Sequence, residues 1–151
     1  MSNYVAGIAI HDGMILVATD SNLPGKILLP GGTNKSMSME KPEDTLRRTF
    51  LEFAGLAALG FSEIYHDEGR FFYLIQKLSS EPDIGRTWIV RKLDERTFTT
   101  SWRKLEEIVP WLYWRNVDPL KYALNQLAST DKGFVETNAR FIESFLGLVV
   151  R

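Results

Sequence analysis

The sequence contains no cysteine, which excludes disulfide bonds, thiolate catalysis and zinc sites built on cysteine. Histidine is nearly absent too, and the two present, His11 and His66, lack the spacing of paired metal ligands. Neither charge sign dominates: 18 Lys and Arg residues face 19 Asp and Glu residues, so no basic field exists to bind nucleic acid or an anionic membrane. Long apolar runs and a signal-peptide pattern are also missing. We therefore expect a cytoplasmic protein that binds neither nucleic acid nor membrane.

The remaining composition is that of a globular chain, with 44% apolar and 25% charged residues among 151. A length of this order suits one domain, which we predict over residues 1–151. Apolar runs punctuated by Gly, Pro, Asn and Asp predict strands, beginning with a hairpin around Asp12-Gly13. The predicted strands cover residues 4–11, 14–19, 27–29, 60–65, 70–78 and 86–93. Further helical patterns cover residues 117–127 and, as an extra C-terminal helix with Phe134, Phe141, Phe145 and Leu148 on one stripe, about 133–148.

A central helix is predicted over residues 42–54. Pro42 suits the first helical turn, and Gly55 is a typical residue at a helix C-terminus. At about 100° per residue, one apolar stripe is formed by Leu46, Phe50, Phe53 and Ala57, so Phe53 is predicted to extend the core. Thr45, Thr49 and Glu52 share a neighbouring face with Arg48, where the threonine hydroxyls are available to a phosphate or a water molecule. Arg48 and Glu52 have the i,i+4 spacing of a helix ion pair.

The segment over residues 29–56 carries the clearest motif and reads LPGGTNKSMSMEKPEDTLRRTFLEFAGL. It resembles the box of the Nudix hydrolases: Gly, five residues, Glu, seven residues, then Arg-Glu-apolar-x-Glu-Glu-x-Gly-apolar. The positions that match this pattern, taken from its C-terminal end, are Leu56, Gly55, Glu52, Phe50, Arg48 and Glu40. The segment departs from the pattern at Thr49 and Phe53, where the family has Glu. Seven residues instead of five separate Gly32 from Glu40.

The resemblance implies the Nudix fold, a mixed β-sheet sandwiched between α-helices (α+β class). It also implies metal-assisted cleavage of a nucleoside diphosphate linked to another moiety, with Mg²⁺ or Mn²⁺ as cofactor and a nucleotide-derived small molecule as ligand. In that scheme Glu52 and Glu40 bind the metal, and Arg48 orients Glu52. The substrate would contact Leu29, Gly31, Gly32 and Thr49, with backbone groups of residues 29–32 shaping the floor under the phosphates.

Two other functions fit the same sequence. With two of the family's carboxylates replaced, the chain could bind a nucleotide or nucleotide-sugar without cleaving it, as a regulatory protein. Alternatively, the chain could be a protein-interaction domain or a homodimer that uses the aromatic loop over residues 111–114 and the C-terminal helix. For the aromatic loop, packing on the core and stacking on a base are further readings. Gly31 and Gly32 are interpreted as a turn, and Glu106 and Glu107 as a solvated helix face.

Overall fold

A computed structural model describes residues 3–34, 39–83, 87–93 and 96–146, and its central feature is a mixed β-sheet. The strands, in chain order, are β1 (Tyr4–His11), β2 (Met14–Asp20), β3 (Gly31–Thr33), β4 (Ala58–Asp67), β5 (Arg70–Leu78), β6 (Thr87–Leu93) and β7 (Arg96–Lys104). Their spatial order is β4-β5-β1-β2-β7-β6, with β3 paired to β1. The β1–β5 pair is parallel, and the other pairs are antiparallel.

The first two strands form the predicted hairpin, but they separate from each other beyond the turn. Asp12 and Gly13 have φ values of 47° and 80°, the left-handed conformation of both central residues in a tight hairpin turn. Only the ends next to the turn pair, through Ile10 with Ile15 and His11 with Met14. Beyond that point, β1 pairs with β3 and β5, whereas β2 pairs along its full length with β7. The start of β1 and the end of β2 are therefore separated.

Helices cover both faces of the sheet. They are α1 (Pro42–Ala54), α2 (Leu105–Ile108), α3 (Val117–Thr130), α4 (Lys132–Thr137) and α5 (Ala139–Leu146), with 3₁₀ turns at Val109–Trp111 and Trp114–Asn116. Leu46 and Phe50 of α1 pack with Val5 and Leu16 in one core cluster. The other helices pack in a second cluster on the opposite face, around side chains such as Ile8. The predicted mixed sheet between helices is confirmed.

Helix α1 has the predicted bounds. Pro42 occupies the first turn, and Gly55 ends the helix in the left-handed conformation (φ 71°), with its N–H donating to the carbonyl of Leu51 at 3.0 Å. Leu46 and Phe50 are fully buried, as the periodicity predicted. Thr100 of β7 donates its hydroxyl to the carbonyl oxygen of Phe53 at 2.6 Å. This bond ties the last turn of α1 to the sheet, and so fixes the helix face that is considered below.

The glycine pair predicted as a turn is in fact a strand. Gly31 and Gly32 belong to β3, and neither has a positive φ. A Cβ at Gly31 would lie 2.0 Å from the carbonyl oxygen of Val5, so the close approach of β3 to β1 is what requires glycine there. The strand predicted over residues 27–29 is also wrong, because Ile27 and Leu28 make only isolated bridges. Of the polar loop predicted after Gly32, residues 35–38 lie outside the described residues.

The predicted C-terminal helix is two helices, because the chain breaks at Asn138. Asp131 caps α4 by accepting a hydrogen bond from the backbone N–H of Phe134 at 3.0 Å. Phe134 is buried, as predicted, but the fully buried side chain of α5 is Ile142, whereas Phe141 is only partly buried. Leu148 lies outside the described residues. In the described part of the chain, no helix combines the length and apolar character needed to cross a bilayer.

Candidate functional site

A cleft of about 410 Å³ opens where β1 and β2 are separated. The start of β1, the end of β2, β3, one face of α1 and the start of β7 form its walls. Two other clefts on the described surface have larger volumes, about 650 and 620 Å³. The cleft of about 410 Å³ is singled out by its residues, because the candidate residues that line it are Leu29, Gly31, Gly32, Arg48, Thr49 and Glu52.

Arg48 is the centre of the polar network on α1. Its Nε donates to Glu40 Oε2 at 3.0 Å, and its Nη2 donates to Glu40 Oε1 at 2.9 Å and to the carbonyl oxygen of Thr33 at 3.0 Å. Its Nη1 lies 3.7 Å from Glu52 Oε2, which is the predicted i,i+4 pair. The hydrogen bonds from Arg48 to Glu40 raise the pKa of the guanidinium, so Arg48 stays charged in the folded protein. Arg48 therefore links both candidate carboxylates.

Glu40 supports Arg48 from the side. Its side chain is 15% exposed, so it is not a solvated loop acid. Thr45 donates its hydroxyl to Glu40 Oε1 at 2.8 Å, in addition to the two bonds from Arg48. Both carboxylate oxygens of Glu40 are thus already engaged by protein donors. In this arrangement the carboxylate of Glu40 holds Arg48 in position, and its oxygens are not directed to a ligand.

The residues of the cleft do not fit the divalent metal centre that the motif implies. Mg²⁺ and Mn²⁺ take several oxygen ligands, chiefly carboxylates. The described residues contain no group of three or more His, Cys, Asp or Glu side chains placed to hold a metal ion. The two altered positions explain this: Thr49 is 1% exposed and donates its hydroxyl to the Thr45 carbonyl oxygen at 2.7 Å, and Phe53 presents a ring. The site roles of Glu52 and Glu40 as metal ligands remain predictions.

Phe53 and Thr49 both line the cleft, but their burial is the reverse of what helical periodicity predicted. Phe53 is only partly buried and lines the cleft, where it packs edge-to-face on Phe98 with ring centroids 5.2 Å apart. Thr49 is packed inside, against Gly32 of β3: a Cβ on that glycine would lie 3.0 Å from Thr49 Cγ2. The strand that approaches the helix decides which of the two side chains is covered. One wall of the cleft is consequently aromatic.

A second arginine lines the cleft from β7, and it was not among the residues predicted from the sequence. Arg96, the first residue of β7, donates from Nε to both carboxylate oxygens of Asp20 at 2.9 and 3.1 Å, and its Nη2 also bonds to Asp20. Asp20 is 4% exposed at the end of β2, and its pKa is lowered by these hydrogen bonds. The sequence contains one indication of this pair, which is the carboxylate of Asp20 at the end of an apolar strand. Its partner lies 76 residues away.

Other candidates lie outside this cleft. Trp111 and Trp114 are 61% and 68% exposed and do not line the cleft, so the predicted packing of these two rings on the core is wrong. The guanidinium of Arg115 lies 4.9 Å from the ring centroid of Trp114. Glu106 and Glu107 are exposed, as predicted. Stacking of the aromatic loop on a base has no support from its position relative to the cleft.

The mixed sheet, its covering helices and the box helix beside the cleft make up the fold of the Nudix hydrolases. Neither a family model nor a curated protein sequence matches the chain. Among solved structures, it is similar to a MutT Nudix hydrolase from Burkholderia pseudomallei, with 22% identity over 79% of this chain and 95% of that one and a TM-score of 0.61. A MutT structure from work on Aliivibrio salmonicida and Vibrio cholerae is 17% identical over 85% and 98%, with a TM-score of 0.60. An ADP compounds hydrolase is 15% identical over 87% and 75%, with a TM-score of 0.57.

Proposed function

We propose that the chain binds a nucleotide-derived small molecule carrying a diphosphate in the cleft, as a binding or regulatory protein rather than as an efficient metal-dependent hydrolase. The donor set of the cleft carries this proposal. Arg48 and Arg96 supply N–H donors, and Glu52 is the one carboxylate among the described lining residues. Arginine suits phosphate oxygens because its planar group donates two parallel hydrogen bonds.

The apolar part of the cleft supports the same ligand class. The apolar side chains that line it are Phe53, Phe98 and Leu29. A flat or apolar group attached to the phosphates can therefore be buried there, away from water. One of the similar structures is an ADP compounds hydrolase. That similarity supports a nucleotide ligand. A cytoplasmic location, a single domain over residues 1–151 and a homodimer stay parts of the proposal.

Hydrolysis is the second candidate, and one observation favours it. Glu40, Arg48 and Glu52, three positions that match the Nudix box, do lie together beside the cleft. Were the chain an enzyme, Glu52 would be the residue most needed, because it is the box carboxylate that lines the cleft. Exchange of Glu52 for Gln would then abolish turnover while leaving the fold intact.

One screen separates the candidates. Thermal shift and phosphate release are measured together with nucleoside diphosphate derivatives, in EDTA and with Mg²⁺ or Mn²⁺. The proposal expects ligands that raise the melting temperature in EDTA and no release that depends on Glu52. Metal-dependent release that Glu52→Gln abolishes would establish the hydrolase instead. If no ligand changes the melting temperature, the cleft is not a nucleotide site, and the interaction domain is the surviving alternative.

A further inference from the structure

We propose that Arg96 is a second phosphate-binding residue, and that Arg48 and Arg96 bind the diphosphate of the ligand directly, with no divalent metal ion between protein and phosphate. This inference rests on the proposed function, because it concerns the same cleft. It adds a residue outside the box, and it predicts that two linked phosphates are bound in preference to a single phosphate even without a metal ion.

The first argument is the way Asp20 holds Arg96. A carboxylate buried at the end of a strand is costly unless it is paired, and here it receives hydrogen bonds from Nε and Nη2 of Arg96. A guanidinium has five N–H donors in a fixed plane. Nη1 of Arg96 has no partner among the described residues, so its two hydrogens are available on the side of the group that Asp20 does not occupy. Asp20 is thus a positioning residue.

The second argument is that Arg96 is ordered and yet accessible. Its side chain is 40% exposed and lines the cleft, although Asp20 fixes one edge of the guanidinium. Its Cζ lies 5.0 Å from the centroid of the Phe98 ring, within the range of a cation–π contact. An arginine held by a carboxylate and a ring has lost its rotamer freedom before any ligand arrives, which lowers the entropic cost of binding.

The third argument concerns charge. Arg48 faces Glu40 and Glu52, and Arg96 faces Asp20, so neither arginine contributes an unpaired positive charge. The donors left for a ligand on the two walls of the cleft are Nη1 of Arg96 and Nη1 of Arg48, because Nε and Nη2 of Arg48 already donate to Glu40 and to the Thr33 carbonyl oxygen. Recognition should accordingly depend on the planar fork of arginine. Lysine at position 96 would keep the charge but lose that geometry, and should bind poorly.

The experiment is calorimetric titration of the full chain with inorganic pyrophosphate, inorganic phosphate, ADP and AMP, first in EDTA and then with Mn²⁺. The variants are Arg96→Lys and the double variant Asp20→Asn with Arg96→Gln, which removes the pair without leaving a buried carboxylate alone. Arg103→Gln is the matched control. It removes one positive charge from the same strand at an exposed position that does not line the cleft.

The expected result is that the parent and Arg103→Gln prefer pyrophosphate to phosphate and ADP to AMP, in the absence of metal. Both variants at position 96 should lose about tenfold to a hundredfold in affinity for the diphosphates, the effect of a charge-assisted bidentate contact. Their affinity for the monophosphates should change little. A purely structural ion pair would lower the melting temperature and leave this preference unchanged.

Each other outcome overturns the inference in a distinguishable way. If ADP binds in EDTA equally well to the parent and to the variants at position 96, Arg96 is not a ligand residue, and the proposed function survives. If ADP and pyrophosphate bind only with Mn²⁺, a metal ion mediates the contact. That result would contradict this inference and favour metal-dependent hydrolysis over metal-free binding. If neither binds under any condition, both this inference and the proposed function fail.

Discussion

Two substitutions that restore the missing carboxylates of the box should differ in how far they destabilise the protein. Thr49→Glu places a carboxylate where the side chain is 1% exposed and packs against Gly32 of β3. It also removes the hydroxyl that donates to the Thr45 carbonyl oxygen. A buried carboxylate without an adequate partner costs roughly 3 kcal/mol or more. We expect a strongly destabilised protein, the reverse of what the helix face predicted from sequence would give.

Phe53→Glu should be the milder change. It deletes the edge-to-face contact with Phe98, which is worth about 0.5–1.5 kcal/mol, and the remaining loss is the apolar burial of a partly covered ring. The new carboxylate would project into the cleft, where water can solvate it. Together these two losses lower the free energy of unfolding by roughly 1–2 kcal/mol. Glu at this position would also stand next to Glu52, so Mn²⁺ should raise the melting temperature of this variant more than that of the parent.

Thermal unfolding with and without Mn²⁺ measures both effects. For a chain of this length, 1 kcal/mol corresponds to about 2–4 °C in melting temperature. Thr49→Glu should therefore melt about 6–12 °C below the parent, and Phe53→Glu about 2–8 °C below it. Thr49→Ser, which keeps the hydroxyl, is the control. If Thr49→Glu melts at the temperature of the parent while Phe53→Glu is the less stable protein, the burial described for this helix face is wrong.

Three further outcomes follow from particular contacts. Gly31→Ala should unfold the protein or lower its melting temperature far more than Gly32→Ala, because its Cβ meets a backbone oxygen at 2.0 Å, whereas that of Gly32 meets a methyl group at 3.0 Å; equal melting temperatures would contradict this. The lowered pKa of Asp20 means that its stabilisation is complete above its ordinary pKa of 3.8 and is lost as pH falls through the lower folded value, so Asp20→Asn should show a flatter decline of stability in acid titrations. Ile142→Ala should cost about 2–5 kcal/mol in denaturant unfolding, against nearly nothing for the exposed Glu143→Ala, and similar costs would show that α5 is not packed as described.

Local signals in the sequence were sufficient for the elements they control. Pro42 and Gly55 mark the bounds of α1, and Asp12-Gly13 marks the hairpin, because each acts through the backbone of its own neighbourhood. The C-terminal segment has the same type of amphipathic pattern, yet it breaks at Asn138. There the side-chain Nδ2 donates to the carbonyl oxygen of Phe134, and the residue also packs against Gly13 of the hairpin turn, a contact that no local pattern reveals.

The candidate site was predictable only where it coincides with the box. Arg48, Glu40 and Glu52 meet as the motif implied. The faces of Thr49 and Phe53 depend on which strand approaches the helix, and periodicity alone does not contain that information. Gly31 was misread for a related reason: a glycine needed for close approach in a strand looks the same in sequence as one needed for a turn. Arg96 and Asp20 come together only through the pairing of β2 with β7.

The order of strands in the sheet has a consequence for how the chain reaches its fold. β1 and β2 come first in the sequence but lie in the middle of the sheet, and β2 pairs with β7, so that Met14 faces Lys104. Such non-local pairing slows folding, since a long loop must close before its contacts form. During synthesis the edges of β1 and β2 remain open until β5 and β7 have been made. In that interval the nascent chain exposes strand edges, and misassociation is the expected hazard.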